Sequence, residues 1–213
     1  VWLFDADGQK YLDFASSAVV NFIGHGDPGI VRAMAEQASR LEFAHSSNFT
    51  TEVVELFAQE LLDFAGPAFR DGAVFFTSGG SEAVESALKL ARQYQVESGR
   101  SERYQVVSRR QSYHGATLGA MAVSGNESRR GIYLPMLHEF PKANIPYCYR
   151  CPYECGKGCA DCGLKYAAEV EVAIAQTNGT AAAFIMEPVS GATLGAAAPP
   201  PAYVQRVAEV CGE

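Results

Sequence analysis

Basic side chains are scarce in this sequence and nowhere gather. The 17 Lys and Arg stand against 24 Asp and Glu, leaving a formal net charge of −7. The basic neighbours are two short pairs, Arg109-Arg110 and Arg129-Arg130. A nucleic-acid partner needs a clustered cationic face, so that class of function is excluded. Apolar runs of membrane-spanning length are missing as well, and no secretory leader is visible, so no membrane partner and a cytoplasmic setting are expected. The first residue is Val1 rather than Met, and residues 202–211 read as a helix that stops near Glu213 without a terminal signal. The expectation is a chain truncated at both ends.

What is present has ordinary globular composition: 213 residues, 48% hydrophobic and 19% charged. Residues 1–14 read as a short hairpin around the turn Asp5-Ala6-Asp7-Gly8. Pro28 suits the first turn of a helix reaching about Leu41. Val53, Val54, Phe57, Leu61 and Phe64 recur at helical spacing over residues 51–64. From there the chain alternates. Residues 73–77 form an apolar run expected to be a buried strand, and 81–97 a helix. Residues 104–108 follow as a strand, 114–123 as a helix rich in small residues, 163–177 as a further helix and 182–188 as a strand. Such alternation implies an α/β fold, a mainly parallel sheet with helices on both sides. Ligands in these sheets sit at the carboxyl ends of the strands.

Two motifs fall at those ends. Thr77-Ser78-Gly79-Gly80-Ser81-Glu82 joins a strand to a helix start. Unpaired amides and the helix dipole favour an anion there, and glycine lets the backbone approach it closely. The turn lacks a Gly-Lys-Ser/Thr ending and is not a G-x-G-x-x-G, so neither a Walker loop nor a dinucleotide fingerprint is indicated at this turn. A plain capped helix is the competing reading. Ser112-Tyr113-His114-Gly115 offers an aromatic ring that can stack on a flat heterocycle, with a histidine beside it. Taken alone, the pair reads equally as a packed aromatic with a satisfied histidine.

Together with Tyr11-Leu12-Asp13-Phe14, the stretch Asn21 to Pro28, Ala87-Leu88-Lys89-Leu90-Ala91-Arg92 and Ile185-Met186-Glu187-Pro188-Val189, these motifs resemble, in order, the class-III or omega aminotransferases of pyridoxal-phosphate (PLP) fold type I. The resemblance implies an incomplete three-layer α/β/α large domain, residues 46–213. Residues 1–45 would contribute part of a small N-terminal domain and the substrate entrance. It implies that Gly80 and Ser81 hold the phosphate of PLP. Tyr113 would stack on its ring, with His114 alongside and Glu187 near the cofactor edge. Ser17, Ala18 and Val19, with Ser16, would line the substrate entrance. It implies amino transfer from an amine or omega-amino acid to a keto acid, in a homodimer. Aminomutases and decarboxylating relatives share these motifs, so those reactions stay open.

The family's aspartate for the ring nitrogen and its Schiff-base lysine have no counterpart here. Lys10, Lys89, Lys142, Lys157 and Lys165 lie outside any such motif. Both residues are expected beyond Glu213, and the segment alone is expected to be inactive. The resemblance leaves one feature unused. Cys148, Cys151, Cys155, Cys159 and Cys162 crowd a Pro- and Gly-rich loop, while Cys211 stands apart. Two Cys-x2-Cys pairs (Cys148 with Cys151, Cys159 with Cys162) allow a zinc or iron–sulfur site, against reduced thiols as the plainer reading. On the metal reading the chain would be a non-catalytic cysteine-rich module. A third possibility is a degenerate PLP-fold protein acting as a partner or regulator.

Overall fold

The computed structural model describes residues 1–153 and 160–212. Its elements run β1 (Trp2–Phe4), β2 (Lys10–Leu12), a four-residue turn α1 (Ser16–Val19), α2 (Pro28–Arg40), α3 (Glu52–Ala65), α4 (Gly80–Glu97), β3 (Gln105–Arg109), α5 (Leu118–Val123), α6 (Glu127–Arg130), β4 (Lys142–Ala143), α7 (Ala160–Ala175), β5 (Ala181–Phe184) and α8 (Pro201–Gly212). Contacts group them into two units, Val1–Val74 and Phe75–Glu213.

In the first unit β1 and β2 form the antiparallel hairpin foreseen from the turn residues, with Trp2 opposite Leu12. The Asp5 carboxylate closes the turn by accepting from the amides of Asp7 and Gln9 and from the Tyr11 hydroxyl. Asp27 caps α2, accepting from the amides of Gly29 and Ile30, and Pro28 occupies the first turn, where it needs no amide hydrogen. Thr51 caps α3 and Gly66, at φ 97°, ends it.

The second unit is built on a parallel sheet of order β4-β3-β5. Val106 and Val107 are adjacent on β3 and both buried, at 4% and 0% exposure. Neighbouring strand residues point to opposite faces, so both faces of the sheet are covered. Val107 packs with Cys162, Tyr166 and Val170 of α7 and with Tyr203 and Val207 of α8. Val106 lies outside that cluster, where α5 packs on β3 and α4 on β5. This is the three-layer arrangement expected from the alternating pattern, in incomplete form.

Two local expectations are corrected. Residues 73–77 are not a strand in the structure: none of the described strands pairs with them, and Phe75 is exposed. Apolar runs signal burial, but a strand exists only where a neighbour takes its amides and carbonyls. Residues 114–117 are not helical either. Gly115 has φ 141°, a backbone that interrupts a helix, and the helix begins only at Leu118. Strand β4, just two residues long, was not legible in the sequence.

Candidate cofactor site

Helix α4 opens without a side-chain cap. Gly79 is extended, and the first intrahelical bond runs from the Ala83 amide to the Gly79 carbonyl at 3.0 Å. The amides of Gly80 and Ser81 precede that bond and face outward at the positive end of the helix dipole. A Cβ built on Gly79 or Gly80 would meet nothing within 4 Å, so open space lies before them. The neighbouring Glu82 carboxylate does not fill it. That side chain turns back to the Ser78 amide, at 2.9 Å, and to the Ser78 hydroxyl, and these bonds hold its pKa below the usual carboxylate range.

Ser81 ties this helix start to the Tyr113 loop. Its Oγ accepts the Ala116 amide at 2.9 Å, which leaves its own hydrogen available to donate to an anion. One turn further along α4, the Glu85 carboxylate accepts the amides of Gly119 and Ala120 and so caps α5. Tyr113 is half-buried, with the Arg129 guanidinium 4.8 Å from its ring centroid. The ring borders a cavity of about 230 Å³ shared with Gly115, Ala116, Met121 and Arg129.

His114 and Glu187 carry buried polar atoms that find no partner among the described residues, His114 Nε2 and Glu187 Oε2. Burial, followed by the charge of Arg109, lowers the His114 pKa to about 4, so the imidazole is neutral near pH 7. Its amide donates to Ser124 Oγ at 2.8 Å, and Ser124 donates in turn to the Ala120 carbonyl. Glu187 follows β5. Burial raises its pKa, opposed by the Tyr113 amide, Arg109 and Ser190. Arg109 is fully buried, and its Nη2 donates to the Glu187 carbonyl at 2.6 Å and to Ser190 Oγ at 3.2 Å.

The structure bonds Ser81, next to Gly80 at the start of α4, to Ala116 of the Tyr113 loop. It sets Tyr113 and His114 after β3 and Glu187 after β5, with the Tyr113 amide bonded to the Glu187 carboxylate. Ser17, Ala18 and Val19 belong to the first unit. There Ser16, Ser17 and Ala18 take left-handed backbones, φ 46°, 50° and 60°, and the amides of Val20 and Asn21 close on the Ser16 carbonyl. Each such residue costs on the order of 1–2 kcal/mol. Of the cysteine loop, Cys155 and Cys159 lie outside the described residues. Among the described residues no group of three or more His, Cys, Asp or Glu side chains is arranged to hold a metal ion. No described helix is long and apolar enough to cross a membrane.

The family model of the class-III aminotransferases matches residues 1–213, the whole chain. The chain belongs to the class-III aminotransferases. It is similar to the uncharacterized aminotransferase YodT of Bacillus subtilis, 36% identical over 99% of this chain and 46% of that protein. It is also similar to the adenosylmethionine-8-amino-7-oxononanoate aminotransferase of Geobacter sulfurreducens, 32% identical over 99% of this chain and 46% of that protein. Among solved structures it resembles an amine transaminase from an uncultivated Pseudomonas species in its PLP-bound form. There the TM-score is 0.90 with 32% identity, covering 99% of this chain and 47% of that one. The chain spans about half the length of the curated relatives it matches.

Three residues that shape this candidate site have no counterpart among the site residues singled out from the sequence: Glu85, Arg109 and Ser124. Glu85 lies one helical turn from Ser81 on the same face of α4, and that spacing was the available signal. Arg109 carried none, because an arginine in a strand gives no hint that it is buried against a carbonyl 78 residues away. The partner of Ser124, ten residues back, is set by the turn at Gly115.

Proposed function

We propose that this chain is the phosphate- and ring-binding part of a PLP-dependent aminotransferase that moves an amino group from an amine or omega-amino acid to a keto acid. One observation carries the reading. The start of α4 at Gly80 and Ser81 carries no side-chain cap, Ser81 is bonded to the Tyr113 loop, and among the described residues the buried atoms His114 Nε2 and Glu187 Oε2 have no partner. A small molecule with an anionic tail and a flat polar ring supplies what those groups lack.

In this reading the Gly80 and Ser81 amides and the Ser81 hydroxyl bind the phosphate, and Tyr113 fixes the plane of the ring. His114, neutral and buried, offers Nε2 beside the ring without adding charge. Glu187 presents a carboxylate to the cofactor edge, held in place through its carbonyl by Arg109. When bound, PLP supplies the electron sink that makes amino transfer possible. The covalent lysine and the aspartate for the ring nitrogen belong, on this reading, to the part of the relatives that this chain does not span. The same proposal assigns residues 1–45 to a small N-terminal domain and 46–213 to the large one, with Ser17, Ala18 and Val19 at the substrate entrance. It makes the whole enzyme a cytoplasmic homodimer.

The test uses the full-length protein with PLP, an omega-amino acid and pyruvate, following formation of alanine and measuring PLP affinity separately. Turnover, together with roughly tenfold weaker PLP binding in Ser81→Ala and Tyr113→Ala, is the expected result, each contact being worth about 1 kcal/mol or somewhat more. PLP binding that ignores both substitutions refutes the site.

A further inference from the structure

The cysteine loop plays no part in the proposed transfer of an amino group, yet the fold draws its outer members together. Cys148 lies on a short 3-10 turn, Cys148–Arg150, and Cys162 on α7. Their sulfurs stand 3.7 Å apart, one thiol donating to the other. Cys162 is fully buried in the core formed by α7, α8 and β3, whereas Cys148 is half-exposed and packs against that core from outside. Cys151 lies close enough to Cys162 to act on its thiol.

We propose that Cys148 and Cys162 form a reversible disulfide, a modification site that staples the 148–150 turn to α7 when the protein meets a hydroperoxide. A disulfide needs sulfurs about 2.05 Å apart, so ~1.7 Å of approach is required from the 3.7 Å contact. A side-chain rotation on a short surface turn supplies that more readily than a movement of α7. The order of events follows from exposure. Burial, reinforced by Cys148 and Cys151, pushes the Cys162 thiol up to about 12, so it remains protonated and shielded. Of the pair, the half-exposed Cys148 meets the oxidant before the buried Cys162 does. Its sulfur attacks one peroxide oxygen, the O–O bond breaks and water leaves, giving a sulfenic acid. The Cys162 sulfur then attacks that sulfur, the S–O bond breaks, and the thiol proton departs with the oxygen as a second water. In sum, two thiols and one hydrogen peroxide give one disulfide and two waters, with two electrons passing from sulfur to oxygen. Over-oxidation is prevented because the resolving thiol already lies in contact.

The experiment treats the full-length protein with hydrogen peroxide, blocks the remaining thiols with iodoacetamide and maps disulfide-linked peptides by mass spectrometry, with and without later reduction. The expected result is a Cys148–Cys162 linkage, the loss of two reactive thiols, and a rise of several degrees in the unfolding temperature that dithiothreitol reverses. Cys148→Ser and Cys162→Ala abolish the linkage, and Cys211→Ser leaves it intact. The unmodified protein gives the linkage map by itself, so the test survives if Cys162→Ala fails to fold. A linkage of Cys148 or Cys162 to a different cysteine, or persistence of both thiols after Cys211 has been oxidised, overturns the proposal. So does a stoichiometric zinc or iron in the purified protein that must be chelated before the thiols react. None of these outcomes depends on amino-transfer activity, so failure here is distinct from failure of the proposed function.

Discussion

Gly115 is closely packed at the candidate site. A Cβ there would stand 2.6 Å from Ser81 Oγ and 2.9 Å from both Ala120 Cβ and Ser81 Cα, on a backbone at φ 141° that side chains rarely adopt. The Ser81 backbone cannot yield without moving the start of α4. Gly115→Ala is expected to cost about 1–3 kcal/mol of stability by overpacking. It should also weaken PLP binding, both measurable on the full-length protein by urea unfolding and ligand titration. His114 makes a second expectation at this scale. Its folded pKa, about 4, lies below the ordinary 6.5. As pH falls from 6.5 toward 4, the unfolded chain binds a proton that the folded one refuses, so stability is lost across that window. The loss reaches about 3 kcal/mol by pH 4. His114→Gln should flatten the acid limb of stability against pH by that amount, and an unchanged limb would show that His114 is not held neutral. Tyr113 and His114 could be proposed from the sequence because they adjoin in one motif. The Arg109 contacts to Glu187 and Ser190 span 78 and 81 residues, and no local pattern encodes them.

At the scale of elements, α4 and α5 are joined through one carboxylate. Glu85 accepts the Gly119 and Ala120 amides at 2.9 and 3.2 Å, and a Cβ on Gly119 would fall 2.4 Å from that carboxylate. Removing the acceptor leaves two amides at the start of α5 without their partner. Glu85→Ala is therefore expected to cost about 1–2 kcal/mol, the range of a lost helix cap. Because α5 positions Ser124 against His114, faster amide exchange at residues 118–124 should accompany the loss, whereas exchange confined to α4 would contradict the link. The helices were readable because turn signals and spacing are local. Pro28 marked one start, and the recurrence of Val53, Val54, Phe57, Leu61 and Phe64 marked the next helix, while the caps Asp27 and Thr51 emerged with the structure. Residues 73–77 misled because a strand also needs a neighbour, which sequence periodicity does not supply. The order β4-β3-β5 places a later strand, β5, beside β3, so the sheet follows pairing across the chain and not the run of the sequence.

At the scale of the whole molecule, a broad cavity lies apart from the candidate polar site. About 960 Å³ opens beside the edge strand β5, lined by Leu90 and Tyr94 of α4, Ala182 and Phe184 of β5, and Val210 of α8. Its lining is mostly apolar, like core surface, with Gln95, Arg103, Glu171 and Thr177 also bordering it. Strand β5 pairs with β3 on one edge alone among the described residues, and an unpaired edge beside apolar surface is a template for further chain. We expect residues 1–213, produced alone, to associate in solution. Light scattering should show assemblies that grow with concentration and bind a hydrophobic dye. In the full-length protein the outward amides of Ala181–Phe184 should exchange slowly because a neighbouring strand takes them, while in the isolated segment they exchange at rates close to those of an open edge, unless self-association covers them. Dilution separates those cases, since protection by association fades as concentration falls and protection by the protein's own chain does not. Slow, concentration-independent exchange in the isolated segment would mean that β5 needs no second neighbour, and that the apolar groove beside it is a finished surface.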